Sequence, residues 1–332
     1  MPDVWFPFLG IEFDHINRVA FTIFGIDIAW YGILIATGAF LALLLVRHLA
    51  RHSGQDPDMY VDFTLYALLF GIAGARLYYV IFSLDSYKDN LLEVFNLRNG
   101  GLAIYGGVIA AVIVCVIFMK KRKQPFLKAM DTLVPGLALG QAIGRWGNFF
   151  NQEAFGSYTD GLFAMRLNVE TAAYTTPQLL AHAVTEGGKT YIQVHPTFLY
   201  ESFFCLCLVI IMVIFYKRKK FDGQIMCIYM MGYGCARAFI ESLRTDQLLL
   251  PVLNFPVSIV VSCTLAISGL VLFILLSRNA KVKALANKDY KAISVDETET
   301  EMSEAESTEA DNDTTVEVDD EVTVSEETSS EL

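Results

Sequence analysis

The chain alternates between long apolar stretches and short polar segments. A helix that crosses a hydrocarbon core of about 30 Å needs about 20 mainly apolar residues. Seven stretches come close to that length, and the fourth is the least apolar. They cover residues 27–46, 60–82, 102–119, 131–150, 197–217, 224–243 and 256–277. The pattern therefore predicts an all-α polytopic membrane protein with seven transmembrane helices.

Basic segments follow every second predicted helix and predict the orientation. In chain order they read RHLARHSG, KKRKQPFLK, KRKK and SRNAKVK. If all seven stretches span, these segments lie on one side, which the positive-inside rule makes the cytoplasm. We therefore expect the N-terminus outside and the C-terminus in the cytoplasm. The outer segments are then 83–101, 151–196 and 244–255, and the length of 151–196 predicts a loop or small outer domain, which could form a lid.

The composition separates a membrane domain from a tail. The chain is 54% hydrophobic and 18% charged, which is too apolar for an ordinary soluble domain. Its net charge of −11 misleads, because residues 293–332 hold sixteen Asp and Glu and no Lys or Arg. Such a segment cannot bury enough apolar surface to fold. We expect a seven-helix domain over 1–292 and a disordered acidic cytoplasmic tail over 293–332.

The cysteines do not indicate a metal or redox site. All six lie inside apolar runs without metal-ligand spacing, and we interpret them as small core residues. The sequence also lacks a nucleotide-binding loop. We expect no metal, no cofactor and no nucleic-acid partner.

The polar side chains of six predicted helices converge on their outer ends. Ionisable groups inside a membrane cost about 2.5–3.5 kcal/mol each at mid-bilayer, so they usually face a protein interior or a wet cavity. Polar groups scattered in depth would indicate incidental packing, whereas convergence predicts a single site open to the outer leaflet. The residues are Tyr31, Arg76, Tyr105, Arg145, Asn148, Asn151, Glu153, His195, Tyr200, Glu201, Arg237, Glu241 and Arg244.

Helical spacing groups some of these residues. Two sets each share one face: Gln141, Arg145, Asn148 and Gln152, and Tyr233, Arg237, Glu241 and Arg244. A neighbouring face of the fourth helix carries Gly136, Gly140 and Gly144, a surface suited to close helix packing.

The arginines predict an anionic ligand. In the second set, an intrahelical pair between Glu241 and one arginine is the alternative to a binding role, but it leaves the other arginines needing anions. Guanidinium groups match phosphate in two-pronged geometry and stay charged at any working pH. At this depth the obvious anion is a lipid headgroup phosphate.

The stretch GRWGNFFNQEAFG, residues 144–156, resembles the signature of the prolipoprotein diacylglyceryl transferase family, which usually reads GR-x-GNF-x-N-x-E-x-x-G. Five further blocks resemble that family in the same order, over roughly residues 25–277: AWYG, GARLYYV, GGLAIYGG, HPTFLYES and YGCARAFIESLR. The resemblance implies a multi-pass enzyme of the bacterial plasma membrane with its active site toward the outer leaflet.

The activity that the resemblance implies is the first step of lipoprotein maturation. A diacylglyceryl group passes from phosphatidylglycerol to the lipobox cysteine of a preprolipoprotein, which gives a thioether and glycerol phosphate. The implied partners are therefore phosphatidylglycerol, the signal-peptide and lipobox segment, and the bilayer. Matched by motif, the important residues are Tyr31, Tyr105, Arg145, Asn148, Glu153, Gly156, Arg237, Glu241 and Arg244.

We assign expected roles to these residues. Arg145 and Arg237 hold the phosphate, with help from Arg244 or Arg76. The residues expected to bind the lipid headgroup also include Tyr31, Asn148 and Gly156. Glu153 and Glu241 each have two candidate roles. One of them acts as a base or orients the substrate, or each holds an arginine in place. We favour the arginine-holding role for Glu241.

Two positions depart from the family pattern. Tyr105 stands where many members have a histidine that has been proposed as a base, and Gln152 stands where a glycine is usual. A tyrosine has an ordinary pKa of about 10, so it is a poor base at neutral pH. We expect thiol deprotonation to depend less on Tyr105, although it remains in the expected catalytic set.

Two other classes of protein could carry membrane arginines. A transporter or flippase for an anionic solute would need polar groups leading to the cytoplasmic side, but the inner halves are almost purely apolar. A structural or lipid-binding protein would not need Asn148, Glu153 and three arginines at one depth. Transferase activity separates the three hypotheses, because only an enzyme forms a new covalent bond.

Overall fold

The computed structural model describes residues 2–88, 90–96, 100–249 and 255–282. The chain divides into two compact units after Ser277, and the contacts below belong to the first unit. The predicted acidic tail, 293–332, lies outside the described residues, so the domain boundary after residue 292 stays a prediction.

Each of the seven predicted apolar stretches contains a long helix. By length and composition, five of these helices, α1, α2, α3, α6 and α8, could cross a membrane. The other two, α4 and α7, carry four of the predicted site residues, Arg145, Asn148, Arg237 and Glu241. The described part of the chain is therefore mostly helical, with several candidate spans. The long helices are α1 (Trp30–His52), α2 (Pro57–Phe82), α3 (Ile104–Lys121), α4 (Phe126–Asn151), α6 (Thr197–Tyr216), α7 (Gln224–Leu243) and α8 (Val257–Val282), and α5 (Pro177–Leu180) is a single turn.

Helix α4 lies at the centre of the bundle, in contact with α1, α6 and α7. Its glycines allow α1 to approach closely: a Cβ atom added at Gly136 would lie 2.5 Å from Val46 Cγ2 and 2.9 Å from the carbonyl oxygen of Ala42. The close packing predicted for this glycine face is confirmed at Gly136. The central position of α4 brings its carboxyl-terminal residues against three neighbouring helices.

The expectation of an all-α chain needs one correction, because the residues before α1 and those between α4 and α6 contain β-structure. A five-stranded antiparallel sheet has the order β2-β1-β5-β7-β6, and the β3–β4 hairpin leads directly into α1. The strands are β1 (Val4–Phe6), β2 (Ile11–Phe13), β3 (Val19–Ile23), β4 (Ile26–Ala29), β5 (Met165–Asn168), β6 (Val184–Glu186) and β7 (Lys189–Val194).

The sheet joins the N-terminal residues to the segment between α4 and α6. Val4 is the register partner of Leu167, and Leu167 is the partner of Ile192. The side chains of these residues form one buried core with Phe149 and Phe155 of the signature stretch. The segment 151–196, predicted as a loop or a small outer domain, therefore forms a small domain that strands from the N-terminus complete, and its core fixes the end of α4.

A buried carboxylate joins the opposite end of α4 to α7. Asp131 is 0% exposed and accepts hydrogen bonds from the backbone N–H groups of Gly223 and Met226, each at 2.9 Å. Lys219 Nζ lies 2.9 Å from the same carboxylate and 2.9 Å from that of Asp222, which is 48% exposed. Asp131 thus neutralises a lysine and satisfies N–H groups at the start of α7.

Replacement of Asp131 by alanine is expected to destabilise the protein by about 3 kcal/mol, because it leaves two buried N–H groups and a partly buried lysine without their acceptor. Asp222→Ala is the matched control, since it removes the exposed partner of the same lysine and should cost less than about 1 kcal/mol. Thermal unfolding in detergent compares the two. Equal melting temperatures for both variants would contradict the assigned role.

Candidate active site

A cavity of about 380 Å³ lies where the carboxyl-terminal end of α4 meets the segments that follow α4 and α7. Two guanidinium groups reach it, one from within α4 and one from the residue that follows α7. Its lining residues are Arg145, Asn148, Glu153, Ala154, Ala173, Tyr174, Arg244 and Asp246. The convergence predicted from the sequence is therefore present for Arg145, Asn148, Glu153 and Arg244.

Glu201, in the first turns of α6, connects two of the predicted arginines. Arg145 Nη2 lies 2.8 Å from Glu201 Oε1, and Arg237 Nη1 lies 3.5 Å from Oε2. The Tyr233 hydroxyl donates to Oε1 at 3.3 Å. Glu201 is 2% exposed, so its charge is compensated by these groups rather than by water. The sequence indicates Glu201 as one of the converging polar residues, but it does not indicate that Glu201 pairs with both arginines.

Arg237 is paired a second time, within its own helix. Its Nη2 atom lies 2.6 Å from Glu241 Oε2. This is the intrahelical pair considered as an alternative to ligand binding, and it places Glu241 in the arginine-holding role. Arg237 is absent from the residues that line the cavity, and it reaches Arg145 through Glu201.

Glu153 receives two amide donors. Asn148 Nδ2 and Asn151 Nδ2 donate to Oε1 at 3.0 and 3.1 Å. Asn148 also accepts a long hydrogen bond of 3.4 Å from Arg145 Nη1. A chain of polar contacts therefore runs from the arginine through the amide to the carboxylate, all from one signature stretch.

Arg244 forms a two-pronged ion pair with Asp246. The Nε and Nη2 atoms lie 2.9 and 2.7 Å from the two carboxylate oxygens. Tyr174 stands beside them in the cavity wall, and burial raises the pKa of its hydroxyl to about 12. Tyr174 is therefore protonated at neutral pH and can donate a hydrogen bond.

Gly156, the last residue of the signature, lies where three segments meet. It pairs with Arg244 in a β-bridge, and its N–H donates to the carbonyl oxygen of His195 at 2.9 Å. A Cβ atom there would lie 2.8 Å from His195 Cβ and 2.9 Å from the carbonyl oxygen of Leu243. The glycine therefore sets the position of the Arg244 backbone, and the structure gives it a packing role.

Gly156→Ala is expected to lower thermal stability and to reduce the activity of this site, because the methyl group forces the three segments apart and displaces Arg244. Overpacking of this kind costs about 1–3 kcal/mol. Gly32→Ala is the control, since nothing lies within 4 Å of an added Cβ at this helical position. Wild-type stability and activity in Gly156→Ala would contradict the assignment.

Tyr31 packs against α4 next to Asn148 without lining the cavity, whereas Tyr105 makes its polar contact elsewhere. A Cβ atom added at Gly147 would lie 2.5 Å from Tyr31 Cδ2, so the phenol ring packs against the signature helix. The hydroxyl of Tyr105 lies 3.4 Å from Ser258 Oγ, between the starts of α3 and α8. Tyr105 does not line the cavity.

Arg76 does not line this cavity and binds backbone carbonyl groups of the segment that follows α2. Its guanidinium donates to five backbone carbonyl groups at 2.6–3.0 Å, and the cation lies 5.4 Å from the ring centroid of Tyr87. Because arginine has five N–H groups, none remains for a phosphate. The expected phosphate-assisting role of Arg76 is replaced by a structural one. The carbonyl groups belong to Glu93, Val94, Asn96, Gly100 and Gly101.

Comparison with known proteins places this chain in a family. The model of the family described as "Prolipoprotein diacylglyceryl transferase" matches residues 18–275. A Finegoldia magna protein named phosphatidylglycerol–prolipoprotein diacylglyceryl transferase is 46% identical over 257 residues, which cover 77% of this chain and 94% of the relative. A Clostridioides difficile protein of the same name is 39% identical over 265 residues, which cover 80% and 97%. The chain belongs to the prolipoprotein diacylglyceryl transferase family.

Proposed function

We propose that this protein transfers the diacylglyceryl group of phosphatidylglycerol to the lipobox cysteine of a preprolipoprotein. The cavity in which Arg145 and Arg244 converge carries the proposal. Guanidinium groups suit a phosphate diester, and the names of the relatives give phosphatidylglycerol and prolipoprotein as the substrates of those proteins. Family membership supports the same pair of substrates here.

The lipid phosphate binds between Arg145 and Arg244. Asn148, in the cavity wall, orients the headgroup, and Tyr31 supports it from beside the cavity, where its ring packs on Gly147. The phosphate displaces Asp246 from Arg244, because both anions fit the same guanidinium edge. Arg237 does not contact the lipid: it holds Glu201, which in turn holds Arg145. This changes the sequence-based assignment, in which Arg145 and Arg237 formed the clamp.

The chemical step is a nucleophilic displacement at carbon. The substrate thiol, with an ordinary pKa of about 8.5, ionises with a small local shift. Its sulfur attacks the glyceryl carbon next to the phosphate ester oxygen, a C–S bond forms and the C–O bond breaks. Glycerol phosphate leaves with the bonding electrons, and the arginines stabilise its charge. The thiol proton passes to Glu153 or to water, and Tyr105 is not required as a base because it lies outside the cavity.

The helices and the basic segments support the proposed membrane arrangement. All seven long helices span the bacterial plasma membrane, with the N-terminus outside and the C-terminus in the cytoplasm. The cavity then lies toward the outer leaflet, where phosphatidylglycerol enters sideways and the lipobox segment of the secreted substrate arrives. Helices α4 and α7 are less apolar than the other five, because they carry polar residues of the site.

The proposal is tested with protein reconstituted into vesicles that contain phosphatidylglycerol labelled in its headgroup glycerol. Addition of a lipobox peptide should release labelled, water-soluble glycerol phosphate, and a Cys→Ser peptide should not. Release without any peptide would indicate a phospholipase, and transbilayer movement of intact lipid would indicate a flippase. Either result would overturn the proposal.

A further inference from the structure

Gln152 occupies a backbone conformation that glycine adopts more easily. It ends α4 with φ +50° and ψ 47°, in the left-handed region. A side chain is disfavoured there, because Cβ approaches the neighbouring carbonyl oxygen. The turn is needed, since it directs the following residue, Glu153, into the cavity wall. A glutamine at this position therefore points to a contact that offsets the backbone strain.

The side chain makes that contact with the outer segment. Gln152 is 3% exposed, and its Oε1 atom accepts a hydrogen bond of 2.7 Å from Thr171 Oγ1. Its backbone carbonyl oxygen accepts another, of 3.0 Å, from the N–H of Ala173. The backbone N–H of Thr171 is in turn bonded to the carbonyl of Asn168 at the end of β5. Gln152 thus ties α4 to the small sheet.

The tied residues form part of the cavity. Ala173 and Tyr174 line it, as do Glu153 and Ala154, the two residues after Gln152. The ring of Tyr174 stacks on Phe155 with centroids 4.4 Å apart and an interplanar angle of 21°. We call residues 171–174 the outer wall. It is held to the signature stretch by three hydrogen bonds and one ring contact, the third hydrogen bond running from the Tyr174 hydroxyl to the carbonyl oxygen of Phe155 at 3.4 Å. Only one of these four contacts depends on the side chain of residue 152.

We propose that Gln152 is a positioning residue, whose hydrogen bond to Thr171 fixes the outer wall against the phospholipid cavity and so sets the orientation of the bound headgroup. The proposal rests on the proposed function and adds to it. The outer wall is then a fixed surface of the site in this chain rather than a mobile lid. Loss of the hydrogen bond lets the wall shift, and small displacements of reacting groups lower the rate of a displacement reaction strongly.

The test compares Gln152→Gly and Thr171→Val with Thr171→Ser. The glycine variant fits the left-handed backbone and loses only the side chain, valine keeps the shape of threonine without its hydroxyl, and serine keeps the hydroxyl. Thr190→Val is the matched control, because its exposed hydroxyl contacts Thr185 on the same sheet and not the signature stretch. All variants are measured as full-length protein with phosphatidylglycerol and a lipobox peptide.

Gln152→Gly and Thr171→Val are expected to lower kcat about five- to tenfold, with the KM for phosphatidylglycerol changed less than about twofold. Thr171→Ser should restore kcat, and the double variant should lose no more than either single one, because both remove the same bond. A kcat within about twofold of wild type in Thr171→Val, or additive losses, would overturn the proposal.

Hydrogen exchange gives a second readout that does not depend on activity. The amide of Ala173 should exchange faster in Gln152→Gly and Thr171→Val than in wild type or Thr190→Val. If wild-type protein is inactive but this difference is seen, the contact holds the wall and the proposed function fails. If exchange is unchanged, the wall does not depend on Gln152 and the positioning role fails.

Discussion

Arg145→Lys is expected to lower the rate of diacylglyceryl transfer by a factor of about 100 or more. The guanidinium of Arg145 contacts Glu201 and Asn148 and also faces the cavity. A lysine keeps the charge that Glu201 needs but has one ammonium group, so it cannot serve the carboxylate and the phosphate at once. Removal of one preorganised donor from a charged transition state typically costs about 10²–10³ in rate.

Arg145→Lys is preferable to the alanine variant, because alanine would leave Glu201 buried without its nearest cation and would confuse misfolding with lost chemistry. Arg47→Lys is the control. Arg47 lies near the end of α1, away from the signature stretch, and its Nη2 atom is 2.9 Å from the exposed carboxylate of Asp58. Initial rates with phosphatidylglycerol and a lipobox peptide, together with melting temperatures, separate the effects. A rate for Arg145→Lys near that of Arg47→Lys would remove Arg145 from the phosphate site.

Glu201→Gln is expected to reduce both activity and stability. The carboxylate is almost fully buried and is shared by Arg145 and Arg237. A neutral amide of the same shape leaves two guanidinium groups facing each other without their common anion, which we expect to cost about 3–5 kcal/mol of stability. Because Arg145 loses its fixed position, transfer should fall about 100-fold in the protein that remains folded.

Glu186→Gln is the matched control for Glu201→Gln. Glu186 lies 2.7 Å from Arg166 on the outer sheet, is partly exposed and does not line the cavity. Its loss should cost about 1 kcal/mol or less and leave kcat unchanged. If Glu201→Gln has the same melting temperature and the same transfer rate as Glu186→Gln, then Glu201 does not hold the arginines in place.

The helices were predictable because a long apolar run by itself indicates a membrane-spanning helix. The small sheet was not, because its strands have three to six residues and β1 pairs with β5 from the far side of four helices. Alternation over so few residues is weak evidence for a strand. The sequence therefore predicted no strand for the N-terminal residues, although they complete the core of the small sheet domain.

The site residues were found by type and depth, but their partners were not. The sequence indicated that arginines converge on one side, and the cavity contains Arg145 and Arg244. It could not indicate that Glu201 binds Arg145 across two helices, nor that Arg76 satisfies backbone carbonyls. Pairings between distant helices depend on rotation and packing, which a single sequence does not fix. The carboxylate at Glu201 was nevertheless visible as an ionisable group in an apolar helix.

The most direct test of the account is a mass spectrum of the peptide product. Detergent-purified protein is incubated with phosphatidylglycerol and a lipobox peptide, and the peptide mass is then measured. The account predicts the added mass of one diacylglyceryl group on the cysteine, absent from a Cys→Ser peptide and strongly reduced with Arg145→Lys. An unmodified peptide, from folded protein that binds phosphatidylglycerol, would contradict the transferase function and leave a lipid-binding or transport role.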